Sequence, residues 1–469
     1  MNYRNLADII RGEGSILPRL RNSRAGMYIY PGVASEFSNW RDEQRAWRHS
    51  AVLFDQSHHM HDIIVEGPEA AEFLAGLAVN SFKGFGTDRA KQFIAVNPDG
   101  EFIGDMVAFR EREDQFVLVG REIIGNWVEF NMAVGTKNVR VRRDARSNAR
   151  PDGKVLSRIH YRFQIQGPDA HRIMAHLNGG TAPDIRFFHV GTISIGTRTV
   201  RALRHGMAGA PGLEIWGPYD DKPYVRDTIL QAARDLGIDL RQVGSRAYPT
   251  NTLESGWIPN PLPAVYTGDG LMQKYREWLP VDSYEASGAL GGSFDTDDVR
   301  DYYVTPYDMG YGPFVRFDHD FVGSAALAAM KDRRHRKKVT FEWNAEDVVR
   351  VIASAFRPGE DHYKWMDLPW LANAATSYDR IERDGRTVGF SMFSGYSYNE
   401  RCMLSLGIVD DAVEVGDVLS LVWGDADGGA GLASTERHIQ TTIRVRVSAT
   451  PYAREARENY ADSWRTRVA

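Results

Sequence analysis

The chain switches between two hydrophobic periods, and the switch points predict its elements. From Ala51 to Val65 the pattern is that of strands; at Gly67-Pro68 it changes to helical spacing. The segment VEGPEAAEFLAGLAV covers Val65–Val79. One hundred positions later, IQGPDAHRIMAHL covers Ile165–Leu177. In each, a strand ends at Gly67 or Gly167. Pro68 or Pro168 takes the first helical position, where a missing N–H costs nothing. Glu69 or Asp169 puts negative charge at the positive end of the helix. The pair predicts a duplicated α+β body with a ligand between its halves, although Gly-Pro helix starts also occur without duplication.

Further strands are predicted at Phe93–Val96, Phe102–Phe109 and Phe116–Val119, a meander whose first turn is Asn97-Pro98-Asp99-Gly100. Arg158–Gln166 is a strand leading into the second Gly-Pro helix, and Thr192–Leu203 alternates as a hairpin. Lys222–Leu236 is an amphipathic helix with Asp220 and Asp221 as candidate caps. Residues 244–330 are loop-rich, with Pro249, Pro259, Pro261 and Pro263 close together, a candidate for site-building loops. A short helix is expected over Asp320–Met330. The basic run 331–338 reads either as a solvated linker or as a nucleic-acid patch. Beyond it, Val339–Trp343, Thr387–Met392, Met403–Ile408 and Thr441–Val447 read as strands of a separate β domain, with a turn at Gly416-Asp417.

Composition narrows the function classes. A chain of 469 residues exceeds what one core normally organises. The formal charge of −5 disfavours nucleic acid as a partner. Cys402 is the only cysteine, which excludes an internal disulfide framework and cysteine-rich metal sites and fits a reducing cytoplasm. No run of about 20 apolar residues predicts a membrane span, and no signal peptide is evident.

Four segments carry candidate chemistry. His58, His59 and His61 fall within four residues, and on a strand His59 and His61 would share a face. They read as a metal pair or as one histidine reaching a ligand. In RHGMAGAPGLEIWG, 204–217, four glycines allow close backbone approach, and Glu214 is either exposed on an alternating strand or buried with a partner. A pterin or guanine edge, with two adjacent N–H donors, fits such a carboxylate. Arg121, at the end of FVLVG, is a carboxylate anchor or a surface ion pair. Tyr248 precedes Pro249, which predicts extended backbone, and its phenol either donates to a developing oxyanion or packs structurally.

Several of these segments, in order, resemble the folate-dependent aminomethyltransferase family, the T-protein family of glycine cleavage. They are NPDGEFIGDMVAF (97–109, with Asp105), Gln166-Gly167-Pro168, Gly212-Leu213-Glu214, Leu253-Glu254-Ser255-Gly256, the stretch Thr305–Gly323 and SGYSYNE (394–400). Within it, SEFSNWR (35–41), FDQSHHM (54–60), RFQIQGP (162–168), RHGMAGAPGLEIWGPY (204–219) and GSRAYPTNTLESGWIP (244–259) look like the tetrahydrofolate-dependent aromatic O-demethylases acting on vanillate, syringate or 3-O-methylgallate.

The resemblance implies an α+β, three-domain fold. Two mutually similar folate-binding subdomains would fill 1–335, and a C-terminal β-barrel-like domain 336–469. It implies transfer of an aryl O-methyl group to N5 of tetrahydrofolate. Glu214, Trp257 and Gln166 would lie at the folate. Tyr30, Gln56, His59, Arg121 and Tyr248 would line the aromatic acid pocket. Tyr248 would serve the ether oxygen while Arg121 and His59 hold the ring carboxylate. His58 and Asp105 receive no role, and the scheme requires no metal. The expected partners are the aromatic carboxylate and tetrahydrofolate, with no nucleic acid or membrane, and the oligomeric state stays open. Syringate is preferred slightly over vanillate. The rivals are another one-carbon transferase of the family, such as an aminomethyltransferase or sulfonium demethylase, and a non-enzymatic folate-binding assembly factor. The last is disfavoured because Cys402 lies in the terminal domain.

Overall fold

A computed structural model describes residues 3–25, 28–149, 153–207, 210–370 and 376–458. Ala208 and Gly209 of the glycine-rich segment lie outside them. The first eleven strands are β1 (Ala51–Asp55), β2 (His61–Glu66), β3 (Ala90–Val96), β4 (Phe102–Arg112), β5 (Gln115–Gly120), β6 (Arg140–Asp144), β7 (His160–Gln166), β8 (Val190–Ile195), β9 (Arg198–Arg204), β10 (Gly212–Pro218) and β11 (Leu240–Gln242). They form two sheets, ordered β3-β4-β5-β2-β6 and β8-β9-β10-β7-β1-β11. With β1 set aside, the orders are the same. Each unit runs strand, helix, three strands, helix, strand; the helices are Ala70–Ala75 and Glu122–Val134 in the first, Ala170–Leu177 and Lys222–Asp235 in the second. The chain is internally duplicated.

The repeat seen in sequence marks equivalent places. Gly67 (φ +141°) and Gly167 (φ +122°) both end the first strand of a unit. A Cβ on Gly67 would collide with the carbonyl of Asn138; one on Gly167 would lie 2.5 Å from the carbonyl of Ser50. Both glycines are therefore required twice over, by backbone conformation and by the neighbouring chain. The helices begin at Ala70 and Ala170, so Pro68 and Pro168 sit in the preceding turn rather than inside the helix. Asp220 and Asp221 do not cap the helix Lys222–Asp235. They form a 3₁₀ turn, Tyr219–Asp221, and Asp221 instead pairs with Arg198 at 2.6 Å.

β1 is the topological exception, and it builds the site. It is inserted in the second sheet, antiparallel to β7 with Leu53 opposite Ile165 and parallel to β11. β2 belongs to the first sheet. The turn Gln56–Met60 thus crosses between sheets. Apolar faces explain the arrangement: Ile63, Val65, Phe73, Leu74, Phe93 and Trp127 fill one core, and Leu53, Phe163, Ile165, Ile173, Ile215 and Ile229 fill the other. A third cluster, with Ile64, Phe109, Val119, Leu203 and Trp216, joins the sheets.

The C-terminal strands close into a six-stranded barrel: Lys337–Trp343, Asp379–Arg383, Arg386–Ser397, Cys402–Val409, Val418–Trp423 and Thr441–Ser448. Sequence reading missed Asp379–Arg383 and Val418–Trp423. In the first, only the inward Asp379 and Ile381 are buried, which leaves almost no apolar alternation to detect. The motif LESG meets SGYSYNE through the fully buried Glu254. It accepts from Trp47 Nε1 (3.0 Å), Arg48 (3.0 Å), Ser397 Oγ (2.8 Å) and Asn399 (3.2 Å), tying helix, loop and barrel together. No helix among the described residues is long and apolar enough to cross a membrane.

Candidate active site

One cavity of about 1300 Å³ lies where both sheets, the 244–316 loops and the barrel meet. It exceeds the roughly 300–1000 Å³ of a single small-ligand pocket, which suits two ligands side by side. Tyr30, Gln56, His59, Arg121, Glu214, Tyr248 and Trp257 all line it.

At one end stands an aromatic box. Tyr248, 4% exposed, packs its ring 4.6 Å from Tyr30, 5.0 Å from His59 and 5.0 Å from Phe54. Its hydroxyl lies 3.2 Å from His59 Nε2 and 3.9 Å from Met207 Sδ, and Gln56 Nε2 donates to the same sulfur at 3.0 Å. Tyr248 is not extended as expected but opens a 3₁₀ turn, Tyr248–Thr250. Pro249 disfavours that geometry, and burial of the ring overrides it. Burial also raises the Tyr248 hydroxyl well above the usual tyrosine range, with the Gln56 amide pulling the other way. Its proton stays on at any working pH.

The three histidines diverge. His58 Nδ1 meets Ser147 Oγ at 3.1 Å, and its Nε2 meets Lys222 and Tyr219. His61 faces Glu122 at 3.5 Å. Only His59 reaches the cavity, and the shared face expected for His59 and His61 does not form, because His59 sits in the crossing turn. No group of three metal-ligating side chains gathers among the described residues. Burial lowers His59 to about 3 and His58, helped by Lys222, to about 4. Both start near 6.5, so above pH 6.5 neither affects stability. As pH falls below 6.5 the unfolded chain takes protons that the folded one refuses, until about 4 and then 3. Stability therefore declines over that window. His59→Gln should make the decline shallower in denaturant titrations between pH 7 and 4.

Glu214 lines the same cavity. It is buried rather than exposed, and Arg162 Nη1 donates to its Oε1 at 2.7 Å. Arg162 is itself clamped between the rings of Phe109 and Trp216, each 5.2 Å away. Gln166 lies fully buried behind the wall, where its Oε1 accepts from the Met207 backbone N–H at 2.7 Å and so shapes the glycine-rich segment. Trp257, 38% exposed, donates from Nε1 to Asp105 at 3.2 Å. Asp105 also accepts from Tyr311 (2.8 Å) and Gln92, and burial raises its carboxyl above the ordinary value.

Arg121 sits at the end of β5. It donates to the carbonyl of Pro259 at 2.9 Å and to the hydroxyl of Tyr284, over whose ring it stacks. Four further cations, Lys91, Arg146, Arg316 and Lys338, line the cavity and escaped the sequence reading. Arg146 reaches the cavity beside Glu122, at 3.8 Å. Lys338, in the basic run, points into the cavity over the ring of Tyr311, and burial lowers its amine to about 8. Arg336 of the same run bonds the carbonyl of Tyr303 at 2.6 Å. Residues 331–334 are exposed, as a solvated linker would be, while Lys337 and Lys338 enter the barrel's first strand. Arg162 had a visible signal. His160, Arg162, Gln164 and Gln166 recur at period two on a strand whose alternate residues, Tyr161, Phe163 and Ile165, are apolar or aromatic, which marks a polar face meant for partners.

Two duplicated α+β units thus share one cleft lined by a carboxylate and an aromatic box. Residues 19–259 match the GCVT N-terminal domain, and the chain belongs to that aminomethyltransferase family. It is 44% identical over 467 residues to syringate O-demethylase from Sphingobium sp. (SYK-6), covering 99% of this chain and all of that one. It is 29% identical to sesamin methylene transferase from Sinomonas sp., over 85% of each chain. An aminomethyltransferase of Thermotoga sp. (RQ2) is 22% identical over 81% of this chain and 84% of its own. The solved glycine cleavage aminomethyltransferase T of Bartonella henselae shares the fold, with a TM-score of 0.56 and 18% identity over 92% of this chain and 94% of that one.

Proposed function

We propose that this enzyme transfers the O-methyl group of a methoxylated hydroxybenzoate, syringate first, to N5 of tetrahydrofolate, leaving the demethylated phenol. The 44% identity to a syringate O-demethylase along the whole chain is the single observation that carries the reading. The donor set fits the folate. Arg162 engages one oxygen of Glu214 and leaves the rest of its accepting capacity for two adjacent pterin N–H groups. Trp257 offers a flat apolar face in the same cavity. Gln166 acts one step back, through the Met207 backbone.

Bound tetrahydrofolate supplies the nitrogen nucleophile that accepts the methyl group. The chain's own residues do the rest. The walls hold donor and acceptor in line, and such positioning contributes roughly 7–11 kcal/mol in favourable cases. As the methyl–oxygen bond breaks, the bonding pair stays on the aryl oxygen. Tyr248 donates its O–H to that oxygen. Because burial raises Tyr248 above the roughly 10 of an ordinary phenol, it stabilises the charge by a hydrogen bond and keeps its proton. His59, held neutral, orients the Tyr248 hydroxyl in the resting site and contacts the acid. Arg121 holds the ring carboxylate.

Arg121→Ala should raise KM for the methoxybenzoate about tenfold or more and leave kcat within about threefold, since a carboxylate anchor binds ground and transition states alike. A neutral methoxyphenol should lose little. Equal losses for acid and phenol in steady-state kinetics would remove Arg121 from that role. The division at 335/336 belongs to the same proposal: the groups named above come from the first segment, and Lys338 of the second closes the cavity.

The test is anaerobic incubation with tetrahydrofolate and syringate, vanillate or 3-O-methylgallate, reading methylfolate and demethylated acid by mass analysis. Stoichiometric appearance of both supports the reading. Demethylation without folate, or turnover only with an aminomethyl donor, ends it.

A further inference from the structure

The two groups assigned above to different ligands hang from one buried chain of alternating charges. Asp144 lies 3.1 Å from Arg158, Arg158 3.5 Å from Asp62, Asp62 3.4 Å from Arg162, and Arg162 2.7 Å from Glu214. None of the five side chains is more than 9% exposed. The two ends do different things. Arg162 grips the carboxylate of Glu214. Arg158 Nη1 donates to the carbonyls of Ser57 (2.7 Å) and Met60 (2.9 Å), the two ends of the turn that carries His59. Asp62, on β2, sits between them, with Oδ1 toward Arg158 and Oδ2 toward Arg162.

Both arginines are buried, so each takes its position from the carboxylates and carbonyls around it. Asp62 is the one member shared by both arginines. Asp62 does not line the cavity. β2 lies in the first sheet and β7 and β10 in the second, so this carboxylate also spans the junction between the duplicated units.

We propose that Asp62 is a positioning residue of the methyl-transfer site. Through Arg162 it sets the carboxylate that receives the pterin, and through Arg158 it sets the turn that receives the aromatic acid. This rests on the assignment of Glu214 and His59 to those ligands. A planar guanidinium fork serves two partners at once in each case, which a lysine point charge does not reproduce.

The experiment uses the full-length enzyme and calorimetric dissociation constants for tetrahydrofolate and for gallate, an acid with no methyl to transfer. The variants are Arg162→Lys, Arg158→Lys and Asp62→Asn, with Glu214→Gln and His59→Gln as references. Arg162→Lys is expected to weaken folate alone, Arg158→Lys the acid alone, and Asp62→Asn both, each by about tenfold. Three variants that unfold more easily yet hold both constants within about twofold would mean a structural role only, and would overturn the proposal. If Asp62→Asn does not fold, the split between the lysine variants decides: both weakening the same ligand overturns it. If Glu214→Gln and His59→Gln leave their own ligands' affinities unchanged, the site assignment fails, and this proposal with it.

Discussion

Tyr248→Phe lowers kcat about 100-fold while tetrahydrofolate affinity stays within about twofold, the size of effect seen when one preorganised donor to a developing oxyanion is removed. The ring is held by Tyr30, His59 and Phe54, so phenylalanine keeps the packing and loses only the hydroxyl. Because burial holds the phenol protonated, the wild-type pH–rate profile should show no ionisation of Tyr248 between pH 6 and 9. Single-turnover rates measure the loss directly; a variant with near-normal kcat would take the tyrosine out of the chemistry.

Glu214→Gln weakens tetrahydrofolate binding about 100-fold. Two charge-assisted hydrogen bonds to a pterin edge together contribute about 3 kcal/mol, and about 2.7 kcal/mol is a hundredfold in affinity. The amide keeps the volume but presents one acceptor where there were two. It also leaves Arg162 without its nearest counter-charge, so the variant should unfold more easily by about 3 kcal/mol. Calorimetry of folate binding beside denaturant titration separates the two effects. Unchanged affinity with reduced stability would make Glu214 a purely structural partner of Arg162.

The fold was legible where local chemistry repeats itself. Gly67-Pro68 and Gly167-Pro168 announced two equivalent units because each glycine is needed for the same backbone reason. The meander β3–β5, the hairpin β8–β9 and the helix from Lys222 followed from period and turn residues. What stayed hidden was polar strand chemistry. Asp379–Arg383 lacks an apolar stripe, and the half-buried end of the basic run, Arg336 and Lys338, finds its partners only across the fold.

The site divides in the same way. Tyr248, Glu214 and His59 stood out in sequence because a phenol, a carboxylate among apolar residues and a histidine cluster are costly or unusual where they occur. Their environment was another matter. His59 separates from His58 and His61 only because β1 crosses into the second sheet and turns the segment between them. Glu214 could have been exposed or buried until Arg162, 52 positions away, supplied its partner.

By itself the sequence determined the duplicated α+β units and offered a carboxylate suited to a pterin edge, since period, glycine placement and residue type act locally; the aromatic-acid pocket entered only with the resemblance to a family. The tertiary structure alone decided which charges are paired, which histidine meets Tyr248, and that Lys338 joins the cavity. Those outcomes depend on desolvation and distance between segments far apart in the chain, and neither quantity exists until the sheets and the barrel come together.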